Sequence, residues 1–115
     1  AQGLLDRAYG GSVRLRPEFL RVAGRREMLH RLLLNLKSIY LNVEDPVRAL
    51  AVVERILLIH PTATRQIRDR GTLLARMGRS EEALVQLEWY LEAAPEASDV
   101  PRIQALVTRL RRTGA

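Results

Sequence analysis

The sequence predicts an all-α fold made of two similar helix hairpins and a closing helix. Apolar residues recur at steps of three and four along most of the chain, which is the period of an amphipathic helix. The chain also matches itself at an offset of 34 residues, so that Pro61 falls on Pro95 and Ala49-Leu50 falls on Ala83-Leu84. Aromatic residues make up only 4% of the composition, so aliphatic side chains must build nearly all of the core.

The first hairpin is predicted over residues 26–63. Its second helix is expected to begin after Asp45-Pro46, because aspartate accepts hydrogen bonds from free amides and proline fits the first helical turn. Pro61 should end that helix. The apolar face of the first helix contains Leu29, Leu32, Leu33, Leu36, Ile39 and Tyr40, and that of the second contains Ala49, Leu50, Val53, Ile56 and Leu57.

The second hairpin is predicted over residues 64–97. Its first helix should end at Gly78, because glycine tolerates the left-handed conformation of a C-terminal cap. Ser80 is predicted to cap the next helix, whose first turn carries Glu81 and Glu82 where the helix dipole favours negative charge. The apolar positions are Ile67, Leu73, Leu74 and Met77 in the first helix and Ala83, Leu84, Leu87, Tyr90 and Leu91 in the second.

Residues 98–115 are predicted to form a capping helix. Its apolar face consists of Ile103, Leu106, Val107 and Leu110, with polar residues around the rest. An array of repeats needs such a helix, since its last full unit otherwise leaves apolar surface in water.

Residues 1–25 do not show the repeat. Gly10-Gly11 is a turn signal, and a short helix from Leu4 to Tyr9 is compatible with the sequence before it. The segment is expected to be irregular or a short helix, to lie extended across the first hairpin, or to be a linker from an upstream domain. Because the chain begins at Ala1 and not at a methionine, we expect an upstream part.

Composition excludes several classes of site. Without cysteine there is no disulfide, thiolate nucleophile or cysteine-ligated metal. The chain has no run of about 18 apolar residues and no signal-peptide pattern, so we expect a cytoplasmic protein that does not contact a membrane. The net charge of +6 permits attraction to nucleic acid, which keeps a basic nucleic-acid-binding helical domain as the alternative function.

No combination of residues points to catalysis. His30 and His60 lie far apart without carboxylates at ligand spacing, so no metal site is expected, and His60 is predicted to cap a helix C-terminus. The acidic residues Glu81, Glu82, Glu88 and Glu92 share one helix and are interpreted as a solvated face. No catalytic residue, metal or cofactor is expected, and the chain is not predicted to be an enzyme.

The two hairpins resemble the tetratricopeptide repeat. The matching positions are Leu33, Leu36, Tyr40, Ala49, Val53 and Pro61 in the first hairpin and Ile67, Gly71, Leu74, Ala83, Leu87 and Pro95 in the second. Lys37 stands where a small residue is usual and Ile56 where alanine is usual, which implies looser packing in the first hairpin. The resemblance implies a right-handed α–α superhelix and a module that binds a protein or peptide.

The resemblance also implies where a partner would bind. The groove positions of the family fall on Arg31, Leu34, Ser38, Leu41 and Asn42 and on Arg65, Arg68, Thr72, Ala75 and Arg76. Leu34 and Leu41 either contact a partner or pack against residues 1–25, and the arginines either meet carboxylates or stay solvated. The clamp that binds peptide carboxylates in other repeats is not expected, because Leu34 and Ser38 replace its lysine and asparagine.

A second resemblance covers the whole chain. It rests on Arg16-Pro17-Glu18-Phe19-Leu20, Arg26-Glu27-Met28-Leu29 and Asn35-Leu36-Lys37-Ser38-Ile39-Tyr40-Leu41, which are similar to the C-terminal half of SirB-type transglutaminase-like bacterial proteins. In that family a transglutaminase-like core precedes the repeats, and none of its catalytic positions falls in this chain. The implied partner is an upstream domain of the same polypeptide or a second copy. Nucleic acid is disfavoured because three Tyr, one Trp and one Phe leave few rings for stacking.

Overall fold

The computed structural model describes residues 17–113, with side chains from residue 24 onward. This range contains the α-helices α1 (Pro17–Asn42), α2 (Pro46–Ile59), α3 (Thr64–Arg76), α4 (Ser80–Ala93) and α5 (Val100–Thr113). No strand occurs among the residues described, and the predicted all-α class is confirmed. The right-handed superhelix stays a prediction. The turn at Gly10-Gly11 and the helix from Leu4 to Tyr9 lie outside the described residues.

Helix α1 begins at Pro17, so residues 17–25 are helical, where the sequence had left an irregular segment, a short helix and an extended segment open. Proline is well suited to the first turn of a helix, where its missing N–H is not needed. The residues that follow lack a sustained apolar period, which is why periodicity did not reveal this part of the helix. Extending an existing helix costs far less than starting one, so no apolar stripe is required here.

The chain divides into two compact units, residues 1–32 and residues 33–115. The described part of the first unit is the N-terminal portion of α1, in which Met28, Leu29 and Leu32 are exposed. The second unit contains the rest of α1 and the helices α2 to α5.

The main core of the second unit lies among α2, α3, α4 and α5. Its buried members are Ala49, Leu50, Val53, Leu73, Leu74, Ala83, Leu87, Tyr90, Ile103, Val107 and Leu110. These residues come from the apolar stripes expected from sequence, and burial of their side chains is the main favourable contribution to folding. Through Ile103, Val107 and Leu110, α5 adds its apolar face to this core.

A smaller core joins α1 to α2. It consists of buried Leu33, Val52 and Ile56, with Leu34, Tyr40 and Ile59 packed against it. Leu29, Leu32, Leu36 and Ile39 belong to the apolar face that the sequence indicates for α1, but all four are exposed. Between α1 and α2 the backbones come close at few places, whereas α3 and α4 are closely packed.

One pair of equivalent residues accounts for part of this difference. Gly71 of α3 stands at the position that Lys37 occupies in α1. A Cβ atom built on Gly71 would lie 2.7 Å from both Cγ and Cδ2 of Leu87, which is far inside van der Waals contact. The glycine therefore lets α3 approach α4, and a lysine at Lys37 does not allow the same approach between α1 and α2.

Helix α3 ends in a glycine-based cap, as predicted. Gly78 has a φ of 77°, which is the left-handed conformation that glycine adopts without steric cost. The Gly78 N–H donates to the carbonyl of Ala75 (3.1 Å), and the Arg79 N–H donates to that of Leu74 (2.9 Å). These two bonds satisfy carbonyls at the end of the helix in the pattern of a Schellman motif.

Helix α1 ends with the same motif on a less suitable residue. Glu44 lies 34 residues before Gly78 and has a φ of 55°. Its N–H donates to the carbonyl of Leu41 (3.2 Å), and the Asp45 N–H donates to that of Tyr40 (2.9 Å). The two hairpins thus repeat one turn, and in the first a side chain is forced into the left-handed region.

The residues at the N-terminal cap positions of α2 and α4 carry opposite charges, Asp45 before α2 and Arg79 before α4. The Asp45 carboxylate accepts from the Arg48 N–H at 3.0 Å, which confirms the predicted cap of α2. The prediction for α4 is wrong, because Ser80 is its first helical residue and Arg79 holds the cap position without a side-chain capping bond. Arg79 instead donates to the Glu82 carboxylate at 2.8 and 2.7 Å.

Candidate functional site

A polar network links the first helices of the two hairpins. The Lys37 ammonium lies 2.5 Å from a carboxylate oxygen of Asp69 and 2.8 Å from the amide oxygen of Gln66. Gln66 is buried, and the side chain of Lys37 is only 12% exposed. A buried polar group needs such partners, so these contacts fix α1 against α3.

The network continues from Asp69 toward α4 and α5. Arg68 donates to Asp69 at 2.9 Å and to Asp99 at 3.0 Å, and its guanidinium carbon lies 5.9 Å from the centre of the Tyr90 ring. The Tyr90 hydroxyl donates to Asp99 at 2.6 Å. This bond lowers the pKa of Asp99, with a further contribution from Arg68, and it raises the pKa of Tyr90.

The network changes the interpretation of Arg68. The sequence places this arginine among the groove residues that could meet a partner's carboxylate. In the structure two positive side chains, Lys37 and Arg68, are matched by two carboxylates, Asp69 and Asp99. Arg68 therefore holds the helices together and is not available as an unpaired cation.

A groove lies between α3 and α5, and we call it the α3–α5 groove. Its volume is about 610 Å³. The lining residues are Thr72, Ala75, Arg76, Gly78, Ser80, Arg102, Leu106, Arg109, Leu110 and Thr113. Thr72, Ala75 and Arg76 are among the groove residues predicted from sequence. The opposite wall comes from α5, which the sequence analysis treated only as a capping helix.

The α3–α5 groove is cationic. Arg76, Arg102 and Arg109 line it, and none of its lining residues is acidic. Within the described range, Arg76 and Arg109 make no ion pair with another residue, and Arg102 has only a 3.5 Å contact with Asp99. In the sequence, the arginines of α5 indicate this positively charged wall. The sequence analysis interpreted them only as part of the polar face of a capping helix.

The remaining predicted groove residues do not line this groove. Leu34 packs against the smaller core. Arg65 is exposed near the start of α3, and in the first compact unit Arg31 is also exposed. Exposed positions toward the end of α1 are Ser38, Leu41 and Asn42.

A second surface lies on the first hairpin. A cavity of about 300 Å³ between α1 and α2 is lined by Leu33, Leu36, Tyr40, Arg48, Ala51, Val52 and Arg55. Leu36 and Ile39 are exposed on α1, and Ala51 and Arg55 are exposed on α2. We call these four residues the first-hairpin face.

The repeat itself shows what this face lacks. Ile39 and Leu73 are equivalent positions, but Ile39 is 53% exposed and Leu73 is 2% exposed. Leu36 is equivalent to Arg70, which pairs with Glu54 of α2 at 2.9 Å. In the second hairpin this side of the helix is packed against the preceding hairpin, whereas among residues 33–113 no element covers it in the first hairpin.

The histidines and acidic residues of the described range do not form a metal centre. No group of three or more His, Cys, Asp or Glu side chains in this range is arranged to hold a metal ion. On α4, the carboxylates of Glu82 and Glu88 pair with Arg79 and Arg111. His60 caps the C-terminus of α2, where its backbone N–H donates to Ile56. No helix in this range is long and apolar enough to cross a membrane.

Two repeated helix hairpins with open surfaces define a helical repeat protein. The sequence model of the tetratricopeptide repeat matches residues 36–108, and the chain belongs to this family. Tetratricopeptide repeats in general bind other proteins, which gives the class of function. The match ends at residue 108, inside α5, so the repeat signal extends into the helix that forms one wall of the α3–α5 groove.

Curated relatives are bacterial. The chain is 33% identical over 87 residues to a UPF0162 protein of Xylella fastidiosa strain Temecula1, an alignment that covers 76% of this chain and 31% of that protein. It is 31% identical over 93 residues to the protein SirB1 of Salmonella typhimurium, covering 81% of this chain and 35% of SirB1. The chain thus spans about a third of the length of these relatives. No solved structure gives a significant match.

Proposed function

We propose that this chain is a non-catalytic protein-interaction module that forms the C-terminal part of a cytoplasmic, transglutaminase-like protein of the SirB type. The observation that carries this proposal is the first-hairpin face. Each unit of a repeat array buries its apolar side against a neighbour, so an exposed apolar side marks a missing neighbour.

The occupant of this face is the preceding part of the same polypeptide. Leu73 is buried in the main core, to which α2 of the preceding hairpin contributes, and an element that precedes α1 would bury Ile39 in a similar way. The curated relatives are about three times as long as the part aligned with this chain, which is consistent with such an element. In this role the module positions an upstream domain and performs no reaction of its own.

The predicted partner-binding residues are retained as a second part of the proposal. They are Arg31, Leu34, Ser38, Leu41, Asn42, Arg65, Arg68, Thr72 and Arg76. Arg68 acts through its ion pairs with Asp69 and Asp99, which hold the surface in shape. Thr72 and Arg76 are candidates for direct contact because they line the α3–α5 groove.

The test is a calorimetric titration of this chain with the domain encoded upstream of it in the same reading frame. We expect binding that Leu36→Glu and Ile39→Glu each weaken at least about tenfold, because a carboxylate would be buried without a partner. Val85→Glu is the matched control, since Val85 is 64% exposed on α4 and lies outside the first-hairpin face.

Two outcomes would contradict the proposal. One is a reading frame with no upstream domain, or an upstream domain that does not bind. The other is binding that Leu36→Glu and Ile39→Glu leave unchanged, which would place the contact elsewhere.

Nucleic-acid binding is the alternative, and the three arginines of the α3–α5 groove are the observation in its favour. Against it, no aromatic residue lines the groove, and base stacking is a main source of affinity for single strands. If nucleic acid were the partner, affinity for mixed-sequence RNA would fall steeply as salt is raised. We expect instead weak binding at about 50 mM salt.

A further inference from the structure

We propose that the α3–α5 groove binds an acidic peptide segment in which carboxylates alternate with apolar side chains. The inference rests on the proposed interaction function, but it concerns a different surface from the first-hairpin face. It names the chemistry of a second partner.

The floor of the groove is apolar. Ala75 lies on the α3 side, and Leu106 and Leu110 lie on the α5 side. Leu110 is buried and Ala75 and Leu106 are half-buried, so an apolar side chain placed here would remove partly exposed aliphatic surface from water. A volume of about 610 Å³ accommodates a few residues of a peptide.

The rim of the groove is positively charged. Arg76 stands on α3, and Arg102 and Arg109 stand on α5. A guanidinium presents several N–H donors in a planar arrangement that matches a carboxylate, and such charge-assisted bonds are stronger than neutral ones. Arg68 shows the contrasting case on the same helix, because Asp69 and Asp99 already neutralise it.

Peptide is favoured over nucleic acid by what the groove contains. A nucleic acid would require contacts for the sugar–phosphate backbone along a strip and rings for its bases. The lining offers aliphatic side chains and no aromatic ring. Apolar side chains between carboxylates satisfy both the floor and the rim.

The test uses a short fluorescent peptide of four Glu-Glu-Leu repeats and measures fluorescence polarisation. We expect this peptide to bind at least about tenfold more tightly than its Gln-Gln-Leu counterpart, since the three arginines act on charge. The double variant Arg76→Glu/Arg109→Glu should bind the Glu-Glu-Leu peptide at least about tenfold more weakly than the wild type does. It should bind a third peptide, of four Lys-Lys-Leu repeats, more tightly than the wild type does.

The matched control is Arg25→Glu/Arg26→Glu, which changes the net charge by the same amount at exposed arginines that belong neither to the groove nor to the first-hairpin face. We expect it to change affinity for the Glu-Glu-Leu peptide by less than about threefold. Circular dichroism of each variant checks that the helices are intact. Equal losses in the two double variants would overturn the proposal, because binding would then depend only on net charge.

Four further outcomes are informative. No binding of the Glu-Glu-Leu peptide, or tighter binding of a single-stranded oligonucleotide that Arg76→Glu/Arg109→Glu abolishes, would overturn the acidic-peptide assignment. If the Ile39→Glu variant binds the Glu-Glu-Leu peptide as tightly as the wild type does, the peptide site is separate from the first-hairpin face. If the upstream domain still binds while the peptide does not, the α3–α5 assignment is wrong and the proposed function stands.

Discussion

At the scale of single residues, Asp99 ties three parts of the second unit together. Its carboxylate accepts from Tyr90 of α4 at 2.6 Å and from Arg68 of α3 at 3.0 Å, and it lies just before α5. Because both contacts favour the ionised form, the pKa of Asp99 lies below its ordinary value of 3.8. The stabilisation is therefore complete above about pH 3.8 and is lost as the pH falls through the lower pKa of the folded state.

The first prediction concerns this bond. Tyr90→Phe should lower the free energy of unfolding by about 1.5–3 kcal/mol at neutral pH, the range for a hydrogen bond to a charged group. The difference between wild type and variant should shrink as the pH falls below about 3.8 and through the lower pKa of folded Asp99, because the Asp99 carboxyl is then protonated in both proteins. Urea unfolding at both pH values measures this. Tyr40→Phe is the control, since the Tyr40 hydroxyl makes no hydrogen bond to another described residue; a pH-independent difference for Tyr90→Phe would contradict the mechanism.

The second prediction concerns Gly71. Replacing a helical glycine by alanine usually stabilises by about 1 kcal/mol, but here the new Cβ would lie 2.7 Å from Leu87, which is fully buried. We expect the steric cost to win, so Gly71→Ala should lower the free energy of unfolding by about 1–3 kcal/mol. Chemical denaturation measures it.

The control for Gly71→Ala is a double-mutant cycle with Leu87→Ala. Truncating Leu87 removes the atoms that the new methyl group would strike, so the cost of Gly71→Ala should largely disappear in that background. Additive effects of the two substitutions would mean that the close approach of α3 and α4 is not the cause.

At the scale of elements, the turns after α1 and α3 each contain a residue in the left-handed backbone conformation, and they differ in whether that residue has a side chain. Glu44 and Gly78 hold equivalent positions with φ of 55° and 77°. The left-handed conformation costs a residue with a side chain about 1–2 kcal/mol. A glycine at the same position avoids this cost, but it lowers the free energy of unfolding by about 0.4–1 kcal/mol because it gives the unfolded chain more conformational entropy. The conformational cost is the larger of the two.

The third prediction follows from these magnitudes. Glu44→Gly should raise the free energy of unfolding by about 0.5–1 kcal/mol, and Gly78→Ala should lower it by a similar amount, because a Cβ on Gly78 meets open space and only its backbone is affected. Thermal unfolding of both variants checks the pair. Glu44→Ala separates charge from conformation: if it stabilises as much as Glu44→Gly, the backbone explanation fails.

At the scale of the whole molecule, stability is divided unequally within the second compact unit. The main core spans α2 to α5, whereas only Leu33, Val52 and Ile56 are buried in the smaller core between α1 and α2. In repeat proteins each unit is stabilised mainly by its neighbours, so a unit with one uncovered side opens more easily.

The fourth prediction is that opening begins at the first hairpin. Backbone amides of residues 33–42 should exchange with solvent at least about tenfold faster than those in the middle of α3 and α4, which corresponds to about 1.4 kcal/mol of local stability. Native-state hydrogen exchange followed by mass spectrometry measures this. Binding of the upstream domain should slow exchange in residues 33–42. Equal exchange rates in residues 33–42 and in the middle of α3 and α4 would contradict the division.

The helices and their ends were largely predictable because their signals are local. Asp45-Pro46 and Gly78 mark boundaries through the conformations of one or two residues, and the period of apolar side chains shows which positions share a helix face. The failures were also local. Nothing in residues 17–25 has an apolar period, and Ser80 resembles a cap although Arg79 takes that position.

By itself, the sequence determined the all-α class, the 34-residue repeat and the residues of the main core, since these depend on spacing along the chain. Only the tertiary structure decided that Arg68 pairs with Asp99, 31 residues away, and that α5 completes a cationic groove with α3. Ile39 and Leu73 have equivalent positions in the repeat, yet one is exposed and the other buried. Periodicity shows that a residue lies on an apolar face, but only packing determines whether another element covers it.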